Sequence, residues 1–136
     1  MRSTIHALLT ALLLSTAVGC ATKVDTQTSA PALGSDAHIV AKKGKTGNID
    51  VSIEVTNLAP PGRLVEGATA FVVWLIPADQ PAVRVGALDY DEKDRAGALD
   101  MTSPDAAFTL VITLEEGAGA STPGKTRILE AAVSVR

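Results

Sequence analysis

Apolar and polar residues alternate along most of the chain after residue 37. Between residues 49 and 56, Ile, Val, Ile and Val alternate with Asp, Ser, Glu and Thr. The same period of two recurs at residues 108–114 and 129–135. Such alternation turns one aliphatic face towards a core and one polar face towards water, as in antiparallel strands. The pattern therefore predicts three strands, each buried on one face.

Other segments complete a pattern of short strands and turns. Residues 38–42 run into a Gly-Lys-Thr-Gly-Asn turn and predict a hairpin with residues 49–55. Residues 69–76 are apolar on both faces, which predicts a central strand ended by Pro77. Shorter strands are expected at 83–87 and 96–101. Loops are expected at 57–62 and 117–124, which are rich in Pro and Gly, and an acidic turn is expected at 89–94.

About seven short strands with no helical stripe favour an all-β fold. We expect an immunoglobulin-like antiparallel sandwich over residues 37–136, with a small closed barrel as the alternative architecture. On a strand flanked by Val73 and Leu75, Trp74 is expected to pack in the core between the two sheets.

The N-terminus has the features of an export signal. Arg2 precedes an apolar run from residue 7 to 18, and Gly19 is followed by Cys20, the only cysteine. The run is shorter than the roughly 20 residues that a membrane-spanning helix needs. The sequence therefore predicts a signal peptide at residues 1–19, and an ordinary cleaved secretory peptide is the alternative to an anchored protein.

Residues 17–20, Ala-Val-Gly-Cys, resemble the lipobox of bacterial lipoproteins. The resemblance implies that the Cys20 thiol is diacylated, with acyl chains such as palmitate. Cys20 would then begin the mature chain, anchored to a membrane in the cell envelope. An aspartate directly after the lipidated cysteine resembles an inner-membrane retention signal. Ala21 occupies this position, so the outer membrane is favoured over the inner one. Residues 20–36 are expected to form the lipidated N-terminus and a flexible linker, because their Thr, Ser, Ala and Pro cannot bury enough apolar surface to order the chain.

The composition of the chain limits the classes of partner that it can bind. The net charge is −3 and becomes more negative once Arg2 is removed, which argues against a nucleic-acid partner. A single cysteine allows no disulfide within the chain. The expected partners are the membrane, through the lipid on Cys20, and a protein or another envelope component.

Candidate chemistry is sparse. After the signal peptide the chain has one histidine, His38, and no Gly-x-Ser-x-Gly elbow, so we expect no catalytic residues and a surface position for His38. An acidic cluster is the one candidate metal site; it comprises Asp89, Asp91, Glu92, Asp94 and Asp100. Its spacing lacks the glycine and the terminal glutamate of a calcium loop, which favours a solvated turn. We expect no metal and no cofactor.

Segments of the C-terminal two-thirds resemble the extracytoplasmic domain of anti-sigma-K factors. They are Phe71-Val72-Val73-Trp74-Leu75-Ile76, Pro81 with Val85-Gly86-Ala87-Leu88, and residues 108–117 with Gly119, Ser121, Thr122-Pro123-Gly124 and Ile128-Leu129. Glu116 stands where the family usually has proline, and Lys125 follows Pro123-Gly124. The family's sigma-binding segment and transmembrane helix have no counterpart here, so the resemblance implies a fold and not an anti-sigma activity.

The sequence thus predicts a lipid-anchored envelope protein whose sandwich binds a partner without catalysis. Two alternatives stay open. One is a regulatory partner of an envelope signalling system, and the other is a hydrolase with a site that the sequence does not reveal.

Overall fold

The computed structural model describes residues 19–136, which form an antiparallel β-sandwich. Its strands are β1 (Thr22–Gln27), β2 (Asp36–Lys43), β3 (Ile49–Thr56), β4 (Ala70–Pro77), β5 (Val83–Ala87), β6 (Asp89–Asp91), β7 (Ala96–Ser103), β8 (Ala107–Glu115) and β9 (Arg127–Ser134). One short helix, α1 (Pro61–Leu64), lies between β3 and β4. No helix within residues 19–136 is long and apolar enough to cross a membrane. The predicted signal peptide and the first part of the lipobox lie outside the described residues, apart from Gly19.

The strand order is that of an immunoglobulin-type sandwich. Sheet 1 has the order β1-β2-β3-β7-β6, and sheet 2 has the order β5-β4-β8-β9. Strands β2, β3, β7 and β6 take the places of A, B, E and D of an immunoglobulin domain, while β9, β8, β4 and β5 take those of G, F, C and C′. The expected all-β sandwich is confirmed, with two strands more than the alternation predicted.

The first additional strand, β1, overturns the prediction of a flexible linker at residues 20–36. Six residues of β1 pair with β2, from Thr22 opposite Ala41 to Gln27 opposite Asp36. The Thr22 hydroxyl also donates to the Ser134 carbonyl of sheet 2 over 2.9 Å. The ordered body therefore begins at Thr22, and not at residue 37.

The composition of β1 explains why the alternation of apolar and polar residues does not predict this strand. Its inward positions are Thr22, Val24 and Thr26, so only one of the three is aliphatic. A strand of this kind gains most of its stability from the backbone pairing that an exposed edge of β2 offers, and hydropathy does not report that pairing.

The second additional strand, β6, lies in the segment predicted as an acidic turn. Asp89, Tyr90 and Asp91 pair with β7, and the turn begins only at Glu92. Tyr90 is the inward residue of this strand and packs against the core.

The hydrophobic core lies between the two sheets and is formed by the aliphatic faces that the alternation predicted to be buried. Sheet 1 contributes Ile39, Ile53 and Val55, and sheet 2 contributes Phe71 and Leu110, all at most 1% exposed. The hairpin predicted from residues 38–42 and 49–55 is confirmed as β2–β3, and β4 is an interior strand of sheet 2 as expected.

Candidate functional site

The strand register separates the molecule into two ends. The proximal end comprises Cys20 and Ala21, the β2–β3 turn (44–48) and the β7–β8 turn (104–106). The distal end comprises the β3–β4 connection (57–69), the β6–β7 turn (92–95) and the β8–β9 loop (116–126). Strands of eight residues separate the two ends by about 26 Å, at about 3.3 Å per residue.

Cys20 is exposed at the proximal end. Ala21 is the only residue between Cys20 and β1. Both of the predicted Pro- and Gly-rich loops, 57–62 and 117–124, lie at the distal end. A group attached to Cys20 is therefore held close to the folded body and far from these loops.

The β8–β9 loop is fixed by the side chain of Glu115. Glu115 Oε1 accepts the backbone N–H of Gly124 over 2.6 Å and the Thr113 hydroxyl over 2.6 Å. A Cβ atom at position 124 would lie 2.8 Å from both carboxylate oxygens, so a glycine permits this approach. At the start of the loop, the Thr69 hydroxyl donates to the Glu116 carbonyl over 2.6 Å. The loop is thereby tied to sheet 2 at both ends.

Trp74 lies on the outer face of sheet 2, which corrects the prediction that it packs between the sheets. It is 0% exposed and belongs to a second small cluster with Val72 and Val111, onto which Ala82 and Ala120 of the neighbouring segments pack. The cause is the strand alternation: Phe71, Val73 and Leu75 face the main core, so Trp74 faces outward. It is buried because the β8–β9 loop and the segment before β5 cover it.

The loop forms one wall of a distal groove. This groove has a volume of about 570 Å³ and lies between the segment before β4 and the β8–β9 loop. Apolar Val65 and Leu114 line it together with charged Glu66, Glu116 and Lys125. A groove lined by apolar residues and by charges of both signs suits a polar partner with an apolar anchor.

The β3–β4 connection is held by Leu58. Its N–H donates to the Arg95 carbonyl over 2.8 Å, and its carbonyl accepts the Tyr90 hydroxyl over 2.7 Å. The Tyr90 ring meets Phe71 edge to face at a centroid distance of 5.2 Å. Burial of the phenol, with the nearby charge of Glu92, raises the pKa of Tyr90 above its usual value. At neutral pH the phenol is therefore protonated and acts as a donor to Leu58.

The acidic cluster is divided between strand and turn: Asp89 and Asp91 lie on β6, and only Glu92 and Asp94 lie in the hairpin turn. Asp91 Oδ1 accepts the backbone N–H groups of Lys93 and Asp94 over 2.8 and 3.1 Å. Asp100 lies away from this turn, on β7 opposite Ser52. Within residues 19–136 no three His, Cys, Asp or Glu side chains are placed to hold one metal ion. The absence of a metal stays a prediction.

His38 lies on the exposed outer face of sheet 1, in β2, as predicted. Its Nδ1 contacts the carboxylate of Asp25 on β1. In the described part of the chain, no hydroxyl or thiol hydrogen-bonds to the His38 ring. The absence of a catalytic centre stays a prediction.

The sequence analysis does not predict the hydrogen bonds of Glu115 and Tyr90 that shape the distal loops. Thr113 and Glu115 lie two residues apart on β8, directly before a glycine-rich loop. In a strand this spacing places both side chains on the same face, so the sequence could have indicated their contact. Tyr90 and Leu58 are separated by 32 residues, and no local pattern connects them.

Comparison with protein-family models, curated proteins and solved structures finds no match to this chain.

Proposed function

We propose that this protein is a non-catalytic binding module, anchored through lipid on Cys20 to a membrane of the bacterial cell envelope. The outer membrane is the favoured location. The partner is a protein or another envelope component that meets the distal end of the sandwich.

The observation that carries the proposal is the position of Cys20 relative to the loops. The cysteine and the β8–β9 loop lie at opposite ends of the same sandwich. An anchor at the proximal end leaves the distal groove facing away from the membrane. Tethering also raises the effective concentration of partners held at that membrane, so that weak contacts suffice.

The hydrogen bonds that hold the distal loops add support. The carboxylate of Glu115 holds one loop, and the Tyr90 hydroxyl holds the other through Leu58. Loops that are ordered before binding lose less conformational entropy when a partner docks.

Two experiments test the proposal. In cells, Cys20→Ala is expected to abolish palmitate labelling and processing after Gly19. If this variant is still cleaved there and stays with membranes, the anchor is disproved.

Cross-linking in envelopes tests the binding role. Residues 60–63 and residues 121–125 are substituted in turn, and Thr46→Ala, in the exposed proximal turn, serves as the control. Loss of one specific cross-linked partner in a distal variant alone supports the proposal. Turnover of a substrate by the purified chain, with no partner recovered, contradicts it.

A further inference from the structure

The β2–β3 turn at the proximal end is basic. Lys42, Lys43 and Lys45 are all exposed, and Asp50 is the only carboxylate between residues 42 and 50. The Asp50 carboxylate lies against the backbone of Gly44, where a Cβ atom would come within 2.7 Å of it. None of the three lysines has a carboxylate within 4.0 Å in the described chain. The hairpin therefore presents three ammonium groups to solvent.

The register of β1 brings these lysines beside the anchor position. Thr22 is opposite Ala41, which is the last pair of the β1–β2 register, and Ala21 and Cys20 follow it on the side where β2 continues to Lys42 and Lys43. Neighbouring strands lie about 5 Å apart. If Cys20 is anchored in a membrane, the ammonium groups of Lys42, Lys43 and Lys45 therefore lie about one side-chain length from the lipid headgroups.

We propose that the 42–45 hairpin docks on anionic phospholipid headgroups and stands the sandwich upright on the membrane. This inference rests on the anchoring proposed above. Each ammonium near an anionic surface raises the docked population by roughly fivefold, so three raise it by roughly a hundredfold at low salt. With a single residue between the anchor and β1, the domain has little freedom to tumble away from the surface.

Charge elsewhere favours the upright orientation. The outer face of sheet 1 carries more carboxylates than ammonium groups. Its carboxylates are those of Asp25, Asp36, Asp50, Glu54, Asp89, Asp91 and Asp100, and its ammonium groups are those of Lys23 and Lys42. An anionic surface therefore repels a molecule that lies on this face. Asp105 lies in the β7–β8 turn, and Asp79 lies between β4 and β5, at the proximal end because Pro77 pairs with Phe108 at the start of β8. None of the strands that these two turns join is a neighbour of β1 in its sheet.

The lone cysteine permits a direct test that is independent of lipidation in cells. The chain from Cys20, which contains every described strand, is coupled through its thiol to maleimide lipid in vesicles of phosphatidylglycerol and phosphatidylcholine or of phosphatidylcholine alone. Amine-reactive labelling of each lysine is then measured by mass spectrometry. Labelling of Lys42, Lys43 and Lys45 is expected to slow by about tenfold on the anionic vesicles only. High salt is expected to abolish this protection.

Lys93 and Lys125, at the distal end, serve as internal controls. Equal labelling of the hairpin on both kinds of vesicle, or protection of the two distal lysines, overturns the proposal. Sedimentation of the uncoupled, thiol-blocked chain with anionic vesicles gives a second readout. It is expected to fall in Lys42→Glu/Lys43→Glu/Lys45→Glu and to stay unchanged in Lys93→Glu/Lys125→Glu. Docking without palmitate labelling in cells would refute the anchor alone, and palmitate labelling without docking would refute the hairpin's role alone.

Discussion

The indole Nε1–H of Trp74 donates to the Thr113 hydroxyl over 2.8 Å, on the outer face of sheet 2. The same hydroxyl donates to Glu115, which in turn holds the N–H of Gly124. Both Trp74 and Thr113 are 0% exposed. A chain of hydrogen bonds thus links the buried indole to the loop that walls the distal groove.

Thr113→Val tests the link between the indole and the loop. The substitution preserves side-chain volume and leaves the Trp74 N–H without its acceptor, so the free energy of unfolding is expected to fall by about 1–3 kcal/mol. Urea unfolding followed by the fluorescence of Trp74, the only tryptophan, measures it. Thr102→Val, at an exposed position of β7, is the matched control and is expected to change stability by less than about 0.5 kcal/mol. Equal stability of both variants would contradict the role of this hydroxyl.

Gly124→Ala tests the close approach of Glu115. The new Cβ would lie 2.8 Å from both carboxylate oxygens, so the carboxylate must move and its bond to the position-124 N–H weakens. We expect a stability loss of about 1–2 kcal/mol and faster amide exchange in the β8–β9 loop. At Gly119, in the same loop, a Cβ meets no atom within 4 Å, so Gly119→Ala is the control. Similar behaviour of the two variants would refute the contact.

The raised pKa of Tyr90 predicts a loss of stability at alkaline pH. The folded state favours the protonated phenol, so its contribution is fully present below the unfolded pKa of about 10 and is lost as pH rises through the higher folded pKa. Tyr90→Phe is expected to remove this contribution and to cost about 1 kcal/mol at neutral pH, because the Leu58 carbonyl loses its donor.

Two measurements check this prediction. Tyr90 is the only tyrosine, so ultraviolet absorbance of the phenolate reports its titration directly. Unfolding by urea across the alkaline range compares the wild-type chain with Tyr90→Phe, and lysine titration affects both equally. Parallel stability curves for the two proteins would show that the tyrosine carries no such pH dependence.

Removal of residues 20–35 tests the role of β1. The shortened chain loses six residues of pairing with β2, the bond from Thr22 to Ser134, and the bond from the Ser29 N–H to the Ile128 carbonyl over 2.7 Å. We expect it to unfold at lower urea and to self-associate through the exposed edge of β2. Denaturation and light scattering measure both effects, with the chain from Cys20 as the control. Unchanged stability would restore the view that this segment is a linker.

The pattern of apolar residues determined the fold class. Alternation over residues 49–55, 108–114 and 129–135 specifies which face of each strand is buried, and turn residues at 44–48 and 117–124 mark where strands end. These are local properties, and each strand shows them in its own residues. The exposed position of His38 and the loop between β8 and β9 follow from the same local rules, whereas the predicted acidic turn is strand as far as Asp91.

Tertiary structure decided the features that depend on a neighbour. Strand β1 exists because β2 offers an unpaired edge and because β9 lies beside it, and neither fact is visible in residues 22–27. Trp74 is buried outside the main core because a loop about 45 residues away in sequence folds over it. Glu115 and Tyr90 hold loops because the sandwich topology brings distant backbone groups within hydrogen-bond distance. Hydropathy along a chain records which side of a strand is apolar, and only the packing of strands and loops decides what covers each side.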